Sequence, residues 1–279
     1  MAEITAEPVK ALRERTDLPM MECKKALIEA QGDQDLAVKI LKEKVKGFKE
    51  KSKDRDASEG KVATLTADDG SAAVMVELRC ESAPVARSED FTFLCDQLCK
   101  QLLTGPGAST PEELLAQPVP DRAGMTLSDL HEEVVNKIRE NIVVARVLKV
   151  KGPAAGYTHH DGSVGVLMQV AGEKANADII RDVAMHIAAL NPAFCVPAQV
   201  DPARVADETA KHTAEAKASG KPDNIIEKMV SGKMRTFYRD EGVLIEQAFA
   251  KDDSKTVGQA LSQAGLTAVS FTRWRRGQA

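Results

Sequence analysis

Aromatic residues are scarce in this chain: seven Phe, two Tyr and one Trp among 279 residues. Its cores must therefore rest on Val, Leu, Ile, Ala and Met, which a hydrophobic share of 43% can supply. A basic excess is also missing. The net charge of −4 and pI near 5.8 argue against a dedicated nucleic-acid binder, so no direct nucleic-acid contact is expected. No apolar run approaches the ~18 residues of a membrane span. The first residues carry Glu3 and Glu7 and no apolar h-region, so neither a secretory signal nor a transit peptide is expected. Five scattered cysteines (Cys23, Cys80, Cys95, Cys99, Cys195) are too few and too irregular for a disulfide framework. They fit a reducing compartment, and the cytoplasm is the expected one. Cys95 and Cys99, one helical turn apart, read as buried thiols on an amphipathic helix.

Enzyme signatures are absent too. There is no Gly-x-Gly-x-x-Gly, no Gly-x4-Gly-Lys-Ser/Thr, no His-Glu-x-x-His and no Gly-x-Ser-x-Gly. No carboxylate–histidine cluster frames His159-His160, and His186 sits on an apolar helix where a satisfied histidine is the plainer reading. The expectation is a protein that performs no covalent chemistry, with no catalytic residue, no metal and no cofactor.

What is present is a clear change of period along the chain. Residues 5–50 read as three short helices. Thr5 caps the first, with Ile4 before it and Pro8 in its opening turn; Asp17 and Pro19 signal the second. Gly32-Asp33 ends one helix and caps the next, and the third carries Leu36, Ile40, Leu41 and Phe48. The mixed-charge stretch from Lys49 to Asp56 reads as a solvated linker. Strands follow: Val62, Thr64 and Thr66, then Asp69-Gly70, then Ala73 to Leu78, a hairpin pattern. A helix over about 88–103 places Phe91, Leu94, Cys95, Leu98 and Leu102 on one face.

That order then recurs. A strand at Ile142–Leu148 precedes a turn at Asp161-Gly162-Ser163, a strand at Val164–Val170, and a helix with Ile179, Ile180, Val183, Ala184 and Ile187. The repetition predicts two related α+β subdomains, each an antiparallel sheet backed by helix. Leu127 to Asn141 reads as a helix after a proline-marked loop. Residues 202–219 and 223–238, joined by Ser219-Gly220-Lys221-Pro222, form an antiparallel helical hairpin. Its first arm has few large apolar groups, so a thin seam and a protruding arm are expected. Val257 to Trp274 reads as a helix and a strand returning to the second subdomain. The expected fold is α+β, with a small three-helix bundle over 1–55, a first subdomain over 56–140, and a second over 141–279 that includes the hairpin at 201–240.

The second helix holds more apolar residues than its core needs. At ~100° per residue, Cys23, Ala26, Leu27 and Ala30 share one face. Met21 and Ile28 fall on another side, with Lys24 between it and the core. Apolar side chains flanking an ammonium suit another protein: the apolar groups supply burial and the lysine supplies orientation. Coverage of this face by later segments is the competing reading, and the pattern does not choose between them.

The chain resembles the translation elongation factor Ts family over nearly its whole length. Thr16-Asp17-Leu18-Pro19-Met20-Met21-Glu22 matches the family's Thr-Gly-Ala-Gly-Met-Met-Asp with a stiffer turn. Lys137-Ile138-Arg139-Glu140-Asn141-Ile142 looks like its Lys-Ile-Gly-Glu-Asn-Ile, and Ala184-Met185-His186-Ile187-Ala188-Ala189 is similar to its histidine helix. Ser219–Pro222 with Glu227–Val230 and Gly232–Met234 matches its helical hairpin, and Ser254–Gly258 its closing segment. The resemblance implies a UBA-like amino-terminal bundle and guanine-nucleotide exchange on the GTPase elongation factor Tu. It implies that Arg13, Met20, Met21 and Lys24 contact the nucleotide-binding domain of Tu and that His186 serves a second contact surface. A factor dimer or a heterotetramer with Tu is compatible with it. The alternative is a non-catalytic interaction protein whose ubiquitin-associated-like bundle binds other partners.

One departure stands out. The family's Thr-Asp-Phe-Val-Ala, whose phenylalanine wedges into Tu and helps dislodge magnesium, is here Ser82-Ala83-Pro84-Val85-Ala86. Burying a Phe yields roughly 1.5–3 kcal/mol of transfer energy, and proline presents less area. The disruptive role the resemblance gives to residues 82–85 must therefore rest on a smaller wedge or a compensating change in the partner.

Overall fold

The computed structural model describes residues 5–16, 18–52, 54–172 and 177–278, with the side chains of residues 45–52 outside that description. Two compact units emerge. One is Met1–Lys61 with Val76–Val147 and Arg276–Ala279; the other is Val62–Met75 with Leu148–Arg275.

The first unit opens on a three-helix bundle: α1 (Ala6–Thr16), α2 (Met20–Glu29) and α3 (Gln34–Ser52). Its core is small and almost entirely aliphatic, with Val9, Leu12, Leu18, Leu27 and Leu41 around Cys23, Ala26 and Ala37. Pro8 lies in the first turn of α1, where its missing N–H leaves nothing unpaired. At the end of α2 the left-handed conformation falls first on Gln31 (φ 51°) and then on Gly32 (φ 92°), whose N–H donates to Leu27 O at 2.9 Å. The expected glycine stop is thus shared with the residue before it. Asp33 then caps α3, accepting from the N–H groups of Asp35 (2.9 Å) and Leu36 (3.0 Å).

Two expectations about α3 need correction. The helix continues through Lys49–Ser52, where a linker was expected, because Lys and Glu are good helix formers. Leu36 is 46% exposed; Ala37 and Leu41 fill the core and Ile40 packs at its edge. Ile4, Asp17 and the side chain of Phe48 lie outside the described residues.

Next come β1 (Glu59–Thr66), β2 (Ala72–Cys80), α4 (Glu89–Thr104), α5 (Pro111–Leu115), α6 (Leu127–Ile138) and β3 (Val143–Lys151). The sheet order is β1-β2-β3, with β2 central and Ala73 to Leu78 wholly buried. The α4 face of Phe91, Leu94, Cys95, Leu98 and Leu102 is buried as the periodicity predicts, and Ser88 caps the helix. All five cysteines are free and buried. The proline-marked loop contains α5, a single turn started by Thr110 and Pro111. A reciprocal Thr126–Asp129 box starts α6. This helix ends at Ile138, short of the expected Asn141, because Arg139 turns left-handed (φ 65°).

The second unit holds β4 (Ala154–Thr158), β5 (Val164–Ala171), α7 (Ala177–Leu190), α8 (Pro202–Ala218), α9 (Asp223–Asp240), β6 (Ala248–Phe249), β7 (Asp252–Thr256), α10 (Val257–Gln263) and β8 (Thr267–Arg275). Its main sheet is antiparallel in the order β4-β5-β8, with Tyr157 opposite Val166 and Met168 opposite Phe271. The strand leading into the second Asp-Gly turn is therefore β4. The expected Ile142–Leu148 strand is instead β3 of the other sheet, and Gly152, at φ 89°, turns the chain between them.

The repetition is visible in the two turns. Asp69 Oδ1 accepts from Ser71 N–H at 2.9 Å and Asp161 Oδ1 from Ser163 N–H at 2.8 Å. Gly70 and Gly162 take φ of 69° and 71°, and their N–H groups donate to Ala67 O and His159 O, both at 2.8 Å. Val166, Met168 and Val170 of β5 pack on Ile180, Val183 and Ile187 of α7 and on Val257 and Leu261 of α10. Gly165 is required on β5, because a Cβ there would lie 2.4 Å from Val62 Cγ1.

The α8–α9 hairpin has the thin seam its composition predicts. Ala216, Ile226 and Met234 are its buried residues. A forked Arg204–Glu241 pair (2.6 and 2.5 Å) closes its open end. No described helix is long and apolar enough to cross a membrane.

Candidate functional site

The α2 surface is built from its start. Pro19 sits extended before the helix (φ −57°, ψ 136°), and its carbonyl accepts from Glu22 N–H (2.9 Å) and Cys23 N–H (3.1 Å). This fixes the rotation of α2, which points Cys23, Ala26, Leu27 and Ala30 into the core. The opposite stripe lies open. Met20 is 43%, Met21 61% and Ile28 52% exposed, and Lys24 lies on the surface between Met21 and Ile28. No described segment of the chain covers this face. Arg13 is exposed on α1, which packs against α2 and directs Val9 and Leu12 inward.

Residues 82–85 form a tethered turn at the end of β2. The Glu140 carboxylate accepts from Glu81 N–H (3.1 Å), Ser82 N–H (3.0 Å) and Ser82 Oγ–H (2.5 Å). In return, the Glu81 carboxylate accepts from Asn141 N–H (2.6 Å) and the Arg55 guanidinium (3.3 Å). Asn141 Nδ2 donates to Arg55 O at 2.9 Å. Ala83 and Pro84 stand exposed at the tip, and Val85 begins a single 3-10 turn, Val85–Arg87. Pro84 suits its place. Its φ of −60° is the value its ring imposes, and as the residue before the turn it needs no N–H. The bonds Ala86 N–H to Ser82 O and Arg87 N–H to Pro84 O, both 3.2 Å, close the loop.

Sequence reasoning named the 137–142 motif and the 82–85 segment separately. It missed that Glu140 holds the turn and that Glu81 and Asn141 hold Glu140's neighbourhood in return. A usable signal was there: backbone N–H groups leaving a central strand need acceptors, and an ionised carboxylate serves two at once.

His186 is buried at 1% exposure, and both ring nitrogens are engaged. Ala250 N–H donates to Nδ1 at 3.1 Å, so Nε2 carries the proton and donates to Gln247 Oε1 at 2.9 Å. The ring does not itself face solvent; its neighbour Met185 is 36% and Leu190 is 53% exposed. Burial holds its pKa below the ordinary imidazole range, with the Gln247 bond a smaller opposing effect. The unfolded chain therefore binds this proton more readily than the fold. The stabilisation is complete above about pH 6.5 and is lost as pH falls below it toward the folded value. His186→Gln is expected to lower Tm at pH 7.5 and to show a smaller further fall at pH 5.5 than the unmodified chain. An identical fall in both, by calorimetry, would refute this account.

Tyr157 Oη lies 3.3 Å from His159 Nδ1, and the His159 and His160 ring centroids lie 4.3 Å apart with their planes tilted by 58°. Among the described residues, no group of three or more His, Cys, Asp or Glu side chains is placed to hold a metal ion.

The comparisons with known proteins bear on the whole chain. The family described as "Elongation factor TS" matches residues 81–278, including the tethered turn, the clamp at 140–141 and the buried histidine. Among full-length relatives, elongation factor Ts of Hyphomonas neptunium is 42% identical, covering 100% of this chain and 93% of its own length. The factor of Methylococcus capsulatus is 41% identical over 99% and 92%, and that of Kineococcus radiotolerans 38% over 99% and 100%. The likeness thus extends through the amino-terminal bundle with its open α2 face, and the chain belongs to the elongation factor Ts family of translation factors.

Proposed function

We propose that this chain is a guanine-nucleotide exchange factor for elongation factor Tu and that it performs no covalent chemistry. The observation that carries the reading is the open α2 face, where Met20, Met21 and Ile28 surround Lys24. Residues 1–55 act as the docking module, with Arg13, Met20, Met21 and Lys24 gripping the GTPase. The first subdomain, 56–140, presents Ser82–Val85 to the magnesium and phosphate site of the partner. The second, 141–279 with its hairpin at 201–240, supplies another contact surface. There His186 acts by holding α7 against residues 247–250, so that neighbouring exposed groups such as Met185 meet the partner.

The physics is that of linkage. A factor that lowers the affinity of Tu for GDP must have its own affinity lowered by GDP to the same degree, so incoming nucleotide expels it. The clamped turn suits this task because a disruptive element that yielded on contact would deliver no distortion. The test is release of fluorescent GDP from the cognate Tu. Acceleration at micromolar factor is expected, and its absence would overturn the reading.

A further inference from the structure

We propose that Arg139 is a positioning residue that couples the α2 docking face to the clamped turn. The proposal rests on the exchange-factor reading. Arg139 follows α6 directly, and its N–H donates to Val135 O at 2.8 Å. It sits at φ 65° and ψ 31°, a left-handed conformation that glycine adopts freely and a side chain bearing Cβ resists. Local preference therefore favours glycine at this point, so the arginine must be justified by what its side chain reaches.

It reaches Glu22. Arg139 Nη2 and Glu22 Oε2 form an ion pair, with the two side chains 21% and 38% exposed. That is more withdrawn than the ion pairs on the bundle's own surface, where Lys10–Glu14 is 73% and 68% exposed and Lys44–Glu29 is 47% and 55% exposed. Glu22 follows Met21 on α2 and flanks the open stripe on the side away from Lys24. The residue after Arg139 is Glu140, whose carboxylate holds Glu81 and Ser82.

A short physical chain results. The docking face leads to Glu22, across the ion pair to Arg139, along one peptide to Glu140, and across hydrogen bonds to Ser82 and the exposed Ala83-Pro84 tip. The left-handed turn makes it work, since it sends the guanidinium toward α2 while Glu140 faces the end of β2. Docking at α2 thereby fixes where the tip meets the partner.

The experiment compares full-length Arg139→Gly and Glu22→Gln with the unmodified chain, measuring Tm, Kd for nucleotide-free Tu, and GDP release at saturating factor. Glycine relieves the left-handed strain, so Arg139→Gly is expected to keep or raise Tm. The Kd is expected to stay within about threefold, while release at saturation falls about tenfold, the scale of a misplaced contacting group. Glu22→Gln, which leaves the backbone alone, should give the same fall, and the exchanged pair Glu22→Arg with Arg139→Glu should recover most of the rate. A merely structural bridge would lower Tm and leave the saturating rate intact, which overturns the proposal, as does a saturating rate within about twofold of the unmodified chain in both single variants. No acceleration by the unmodified chain would instead overturn the exchange reading itself.

Discussion

Replacing Glu77 with glutamine is expected to lower Tm by about 10 °C at neutral pH, on the scale of ~2–4 °C per kcal/mol for a chain of this order of size. Glu77 lies in central strand β2 and is wholly buried. Its carboxylate accepts from Arg79 Nε (2.6 Å), Arg146 Nε (2.5 Å) and the N–H of Gly277 (2.9 Å). Burial alone would push its pKa up, but the two guanidiniums and the amide outweigh it and hold the carboxyl below its ordinary value. The group is therefore charged in the fold. Glutamine keeps the shape and removes the charge, so the two guanidiniums, each side chain 25% exposed, lose the carboxylate they share. Breaking a buried pair in this way costs about 3–5 kcal/mol.

The pH dependence has a definite sign. Because the folded pKa lies below the unfolded one, this stabilisation is present above about pH 4.5 and is lost as pH falls below it toward the folded value. The Tm gap between the unmodified chain and Glu77→Gln should therefore narrow in acid. Arg79→Met should cost less, because Arg146 and Gly277 still hold the carboxylate. A Glu77→Gln change of under about 2 °C by calorimetry would show that the charge contributes little. The turn carrying Pro84 hangs from the same strand.

Much of this architecture is legible in the sequence where period and turn chemistry agree. The α4 stripe, both Asp-Gly turns and the thin α8–α9 seam follow from residue spacing. Strand β4 was not legible, because Gly152, Pro153 and Gly156 crowd a five-residue segment whose strand character comes from pairing with β5. The extent of α3 was misread because a run of Lys and Glu serves equally as a linker or as an exposed helix. Its core face was misread because one helical stripe could include either Leu36 or Ala37.

The site divides in the same way. The open stripe on α2 could be drawn from periodicity, but its exposure depends on where every other segment goes. The Glu140–Ser82 clamp joins residues 58 positions apart, and no local pattern records such a contact. The engagement of His186 by Gln247 and Ala250 is equally non-local. A histidine on an apolar helix reads the same whether its ring faces a partner or its own chain.

Lys24→Ala and Met21→Ala are each expected to raise the factor concentration for half-maximal GDP release about 10–30-fold, whereas Pro84→Ala raises it less than about fivefold. The difference follows from what each residue does in the free protein. Lys24 is exposed and has no ion-pair partner among the described residues, and Met21 is 61% exposed. Truncating either leaves the bundle core untouched, so Tm should hold while docking weakens. Apolar anchors around an oriented charge are the groups whose loss an interface feels most. Pro84 contributes a small exposed ring and a preset φ of −60°, which alanine adopts without strain. The turn would keep its two backbone bonds and its clamp by Glu140. What alanine loses is mainly the restriction of the unfolded chain, about 0.4–1 kcal/mol of folding stability, which leaves the folded fraction of the factor almost unchanged. If Pro84→Ala slowed release more than Lys24→Ala did at matched Tm, the proline itself would be the disruptive wedge. The rigidity supplied by Glu140 would then matter for what it aims at the nucleotide site rather than for holding the turn's shape.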